Sequence, residues 1–125
     1  MTFDKHMSLV MAMYMLGKIA VYADDVNGAL VNFNNAVMLI HERGDLTIER
    51  HRRALGYCLL ARGMVYCKLK SFERAEEDLT GAAAVLPSHK FPVIYELRAE
   101  AREQLGRIDA AREDEEKAAE LWEKG

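Results

Sequence analysis

The sequence predicts an all-α protein built from three helical hairpins in tandem. Three observations predict it. Two prolines and eight glycines in 125 residues leave long stretches unbroken, and the dominant residues (Ala, Leu, Glu, Lys, Arg) favour helix. Small side chains recur at fixed intervals: Gly63, Ala75 and Ala82 answer to Gly17, Ala29 and Ala36 after a shift of 46 residues, and to Ala99, Ala111 and Ala118 after a shift of 36. Each stretch has an apolar stripe of helical period in two halves, parted by a short polar turn.

The first unit covers residues 10–43, the second 56–89 and the third 92–125, all within a single domain spanning 1–125. The turns are predicted at Asp24-Asp25, Lys70-Ser71 and Gly106-Arg107. After each, an apolar residue opens the second half: Val26, Phe72 and Ile108. Two antiparallel helices approach closely only where side chains are small. Gly63 and Ala75 are expected to supply that contact, with Tyr66 and Leu79 filling the space beside it. Ala82 leaves room for the next hairpin, and Pro87 ends its helix.

The excess spacing between units one and two falls in 44–55, within HERGDLTIERHRR (41–53). Gly44 reads as a helix C-cap, and Asp45 or Thr47 as the next N-cap. The first helix of unit two is therefore expected to be longer by two to three turns. It would project from the stack and carry the basic cluster Arg50, Arg52 and Arg53.

A net charge of −3 argues against general nucleic-acid binding. Cys58 and Cys67 lie nine residues apart, on opposite sides of a helix. They cannot bridge within it, and free thiols point to a reducing, cytoplasmic compartment. Residues 7–23 look superficially like a secretory signal, but Asp4 precedes the stretch and Lys18 interrupts it. Lys18 also argues against membrane insertion. His6, His41, His51 and His89 have no metal-ligand spacing, and no phosphate loop or nucleophile motif occurs. The expectation is a protein that is not an enzyme and needs no cofactor or metal.

The pattern resembles the tetratricopeptide repeat family. The middle unit carries it most fully, with Gly63, Tyr66, Ala75, Leu79, Ala82 and Pro87. Leu59 stands for the family's tryptophan and Arg62 for the leucine before glycine. The first unit has Met13, Leu16, Gly17, Ala29, Phe33 and Ala36, with Ala20 at an aromatic place. The third has Tyr95, Ala99, Ala111 and Ala118, with Arg102 and Glu115 at apolar places. The resemblance implies a short right-handed superhelix, an α-solenoid, whose concave groove is lined by the first helix of each unit.

By that resemblance unit one lends the groove Met11, Tyr14, Lys18 and Val21. Unit two lends Tyr57, Leu60, Met64 and Cys67. Unit three lends Val93, Glu96, Glu100 and Glu103. Such a surface is rich in methionine and aromatics and acidic at one end. It suits an apolar peptide or amphipathic helix of a protein partner, whose basic end would face the glutamates. The family's chaperone-carboxylate clamp is not matched, because Tyr14, Ala61, Val93 and Leu97 stand at four of its polar or basic places. The expected function is thus an adaptor or chaperone-like binding module.

The two ends of the stack differ. The last helix is mixed in charge, with Trp122 placed as a lid. Residues 7–17 carry no charge and are apolar nearly all round, the mark of a buried helix. Ala12, Met15, Ile19 and Tyr22 form the edge a preceding hairpin would cover. A self-association module using that edge is the second functional class. A nucleic-acid accessory using Arg50–Arg53 is the third.

Overall fold

The computed structural model describes residues 4–125. It contains α1 (Lys5–Tyr22), α2 (Val26–Arg43), α3 (Glu49–Lys68), α4 (Phe72–Val85), α5 (Pro92–Gln104) and α6 (Ile108–Lys124), with a 3-10 turn at Ser88–Lys90 between α4 and α5. No strand occurs among the described residues. The helices pair as α1–α2, α3–α4 and α5–α6, and each pair packs on the next through α2–α3 and α4–α5.

One turn is used three times. Asp24, Lys70 and Gly106 have φ of 61°, 61° and 79°, the left-handed region that ends a helix. The next residue donates its N–H five residues back: Asp25 to the Ala20 carbonyl at 2.8 Å, Ser71 to Tyr66 at 2.9 Å, Arg107 to Arg102 at 2.8 Å. These bonds satisfy the orphan carbonyls of α1, α3 and α5 and reverse the chain within three residues. Asp25 then caps α2 by accepting from the Gly28 N–H at 3.0 Å.

The small residues work somewhat differently from expectation. A Cβ on Gly17 would lie 2.5 Å from Phe33 Cε1, and one on Gly63 would lie 3.0 Å from Leu79 Cγ. Each glycine therefore receives the large side chain of its partner helix rather than the alanine. Phe33 and Leu79 are completely buried as a result, worth roughly 1.5–3 kcal/mol each. Ala29 and Ala75, also fully buried, thin the helices beside that contact. Pro87 stands just past α4, as expected, and opens the 3-10 turn.

The 44–55 segment is where local reading departs most from the fold. Gly44 does follow α2, with an extended backbone. Ile48 is the residue before α3 and, being aliphatic, gives no side-chain cap; Asp45 turns back on its own loop instead, accepting from the Thr47 N–H at 3.0 Å. The extra turns of α3 do not project. His51, Ala54 and Leu55 are buried, because α1 and α2, at 18 residues each, are long enough to run alongside. His51 Nδ1 accepts from the Asp45 N–H at 2.8 Å, so Nε2 carries the proton and donates to Asp4 Oδ2 at 2.7 Å. One imidazole thus ties the α2–α3 loop to the start of α1. Asp4 also caps α1 by accepting from the Met7 N–H at 3.1 Å. That bond first, and His51 and Arg50 after it, hold its carboxyl below the usual range.

Two arginines staple the later hairpins. Arg62 grips Asp78 with two bonds of 2.8 Å, and Arg98 grips Asp114 at 2.9 and 2.8 Å. Both arginines also reach the preceding hairpin, Arg62 to Asn34 Oδ1 at 3.0 Å and Arg98 to Thr80 Oγ1 at 3.4 Å. Arg102 adds a second cation on Asp114 at 2.9 Å and bonds Glu76 at 2.8 Å. The hydrogen bonds to Asp78 and Asp114 keep both arginines firmly protonated. Hairpin one has no counterpart: the matching places hold Leu16 and Asn32.

Candidate functional site

An open, largely apolar cleft of about 360 Å³ lies between α1 and α3. Tyr14, Lys18 and Val21 come from α1, and Tyr57, Leu60 and Met64 from α3. These six were all assigned to the groove from sequence. Phe33 and Val65 close the floor. Among the described residues none fills the cleft: Tyr57 and Leu60 are half-buried and Met64 is 48% exposed.

The aromatic rings give the cleft a fixed frame. Tyr14 lies 6.1 Å from Phe33 and 6.2 Å from Tyr57, and Tyr57 lies 5.8 Å from Phe91, ring centre to ring centre. The series runs from hairpin one through hairpin two to Phe91, just before α5, with tilted and edge-on contacts that stabilise by about 0.5–1.5 kcal/mol per pair. The mouth is cationic. Lys18 Nζ sits 5.5 Å above the Tyr14 ring, and Lys68 Nζ is 3.1 Å from Asp24 Oδ1. Lys18 has no carboxylate partner among the described residues.

The other six assigned residues are divided among neighbouring surfaces. Met11 lines a shallower hollow of about 220 Å³ with Met7, Arg50, Arg53 and Ala54, which meets the cleft at Tyr57. Cys67 and Val93 are half-buried beside the cleft. Burial raises the Cys67 thiol to about 11, with Glu100 adding to the effect. Glu96, Glu100 and Glu103 border a third hollow of about 320 Å³ between α5 and α6. That hollow exists because Glu115 stands where hairpins one and two place Phe33 and Leu79. Trp122 closes one side and donates its indole N–H to Glu96.

The edge residues of α1 are open. Met15 and Ile19 are each 61% exposed and Tyr22 is 85% exposed, while Ala12 is exposed between them. The basic cluster is engaged within the chain: Arg50 lies 3.7 Å from Asp4, Arg53 pairs with Glu49 at 2.6 Å, and Arg52 donates to the Leu46 carbonyl at 2.8 Å. Both cysteines are free, and burial pushes Cys58 up to about 12. Among the described residues no cluster of His, Cys, Asp or Glu could hold a metal ion. No described helix is long and apolar enough to cross a membrane.

Sequence reasoning missed the Arg62–Asp78 and Arg98–Asp114 staples and the Asp4–His51 tie. A signal for the first was present. Arg62 and Arg98 are 36 residues apart, and so are Asp78 and Asp114. The same interval relates the small residues of hairpins two and three. No family model matches the chain, and neither the curated proteins nor the solved structures contain a match.

Proposed function

We propose that this chain is a non-enzymatic protein–protein interaction module, an adaptor or chaperone-like part of tetratricopeptide type. It takes an apolar anchor of a partner helix or extended segment into the α1–α3 cleft. One observation carries this reading: an open apolar cleft whose aromatic walls are already braced by ring contacts from hairpin one through hairpin two to Phe91. A braced wall loses little entropy when a ligand enters, so more of the contact energy survives as affinity. Met64 adds an adaptable surface at the rim.

Charge gives the partner a direction. Lys18 at the mouth, with no carboxylate partner among the described residues, favours an acidic residue beside the anchor. Glu96, Glu100 and Glu103, on the far hairpin, favour a basic residue further along. The segment is therefore acidic, then apolar, then basic. Its binding needs no cofactor, and the reducing interior of a cell suits two free thiols.

The test uses fluorescently labelled peptides with a Leu, Phe or Trp anchor, in the acidic–apolar–basic order and in the reverse order. The forward series is expected to bind the wild-type chain more tightly. Leu60→Glu with Met64→Glu is expected to weaken binding by about 2 kcal/mol or more, with helix content unchanged. Binding that survives the double substitution, or a series in which no peptide binds, overturns the reading.

A further inference from the structure

We propose that the exposed edge of α1 is covered by the α1 of a second copy of this chain, the two helices antiparallel about a two-fold axis. The edge meets the cleft at Tyr22, but the inference does not rest on the cleft reading.

The repeat register says what kind of surface this edge is. Moving Leu9, Ala12 and Ile19 forward by 46 residues lands on Leu55, Cys58 and Val65; a further 36 lands on Phe91, Ile94 and Ala101. Leu55 and Cys58 are buried against Ala36, Val37 and Ile40 of α2. Ile94 and Ala101 are buried with Ala82 of α4 and Leu86 just past its end. In hairpins two and three this face always receives a helix. In hairpin one Leu9 is 48%, Leu16 54%, and Met15 and Ile19 61% exposed. A run of large apolar side chains this open on one helix marks an association site.

The chemistry of the edge also selects its occupant. Arg62 and Arg98 reach an uncharged polar residue on the preceding helix, Asn34 and Thr80. Leu16 takes the arginine's place, so the occupant meets no cation there. The far end of this chain does not fit. The α6 place that matches Asn34 and Thr80 is Glu116, and the place that matches Phe33 and Leu79 is Glu115. Head-to-tail stacking would press Leu16 onto Glu116 and bury carboxylates with no counter-charge, which costs several kcal/mol.

The edge does fit itself. An antiparallel pairing in which residue numbers sum to about 31 sets Leu9 beside the partner's Tyr22, Ala12 beside the partner's Ile19, and Met15 beside the partner's Leu16. The bulkiest residue, Tyr22, then lies at the rim, and Ala12 makes room for Ile19. Lys5 falls at the end of the partner's α1, near the carboxylates of Asp24 and Asp25. The helix dipoles oppose one another, which is favourable. One 18-residue helix per copy makes a small interface, so a micromolar dimer is expected.

The experiment is sedimentation equilibrium of the full chain from micromolar to millimolar concentration. A monomer–dimer equilibrium is expected. Met15→Glu with Ile19→Glu should weaken dimerisation at least about tenfold without changing helix content, since both side chains face water in the monomer. Leu60→Glu with Met64→Glu should leave it intact, which separates this edge from the cleft. Leu16→Cys should give a disulfide-linked dimer on mild oxidation, where the unsubstituted chain does not. A strict monomer throughout overturns the proposal. So does a dimer indifferent to the edge substitutions, or a ladder of ever larger species, which would mean head-to-tail stacking.

Discussion

Hairpins one and three share a turn and its hydrogen-bond register, yet they treat their outer surfaces in opposite ways. The outer face of α1 is apolar and carries no charge from Met7 to Gly17. The outer face of α6 bears Glu115, Glu116 and the exposed Trp122. Hairpin three is pinned by Arg98, Arg102 and Asp114; hairpin one, with Leu16 and Asn32 in the corresponding places, is pinned by packing alone. The pattern that closes a hairpin is separate from the pattern that decides what lies beyond it. Small residues and a left-handed turn do the first. The residue before the small one, Leu16 before Gly17 or Arg98 before Ala99, does much of the second.

The sharpest way to break this comparison is to remove the staple. Asp114→Ala leaves Arg98 without its carboxylate and Arg102 with Glu76 alone, and is expected to cost about 3–5 kcal/mol in urea unfolding. Asn32→Ala, at the matching place in hairpin one, loses only a bond to the Gly28 carbonyl at 2.9 Å, and should cost about 1 kcal/mol or less. Equal costs would mean the ion pairs are decoration.

A second test weighs glycine against glycine. Gly17→Ala puts a methyl 2.5 Å from the fully buried Phe33 ring, and overpacking of that kind costs about 1–3 kcal/mol. Gly63→Ala meets Leu79 at 3.0 Å. There the roughly 1 kcal/mol gained in helix propensity nearly offsets the crowding, so thermal unfolding should barely move.

The turns give a smaller contrast. Gly106→Ala forces a side chain into φ 79° and should cost about 1 kcal/mol. Lys70→Gly relieves the same strain in hairpin two but adds freedom to the unfolded chain. Its melting temperature is expected to stay within about two degrees of the unsubstituted protein.

The last test leaves stability untouched. With thiols raised to about 12 at Cys58 and about 11 at Cys67, fewer than about one in a thousand is thiolate at pH 8. Alkylation of the folded chain should be far slower than of the chain in urea, and Cys67 should react before Cys58. Rapid labelling of Cys58 would mean that the α2–α3 contact opens.

Much of the hairpin plan was legible because its causes are local. The turns at Asp24, Lys70 and Gly106 stand where the breaks in apolar period put them, and Pro87 ends α4 by its own geometry. The partners of distant charges were not legible. Asp78 and Asp114 lie across a turn from their arginines, and His51 meets Asp4 from 47 residues away. Arg62 and Arg102, at apolar places, read as departures until their carboxylates came into view. At the candidate site, register placed six residues around one cleft. It did not foresee that Glu115, in place of a large apolar residue, would open a separate hollow and set the three glutamates apart.

Almost every contact in the molecule joins segments that are adjacent along the polypeptide. Such a chain can start to fold at any hairpin and add the others in sequence, with no distant loop to close first. Rapid refolding follows, and so does a contrast: the middle pair packs against two neighbours among the described helices, through α2–α3 and α4–α5, and should be the last to yield.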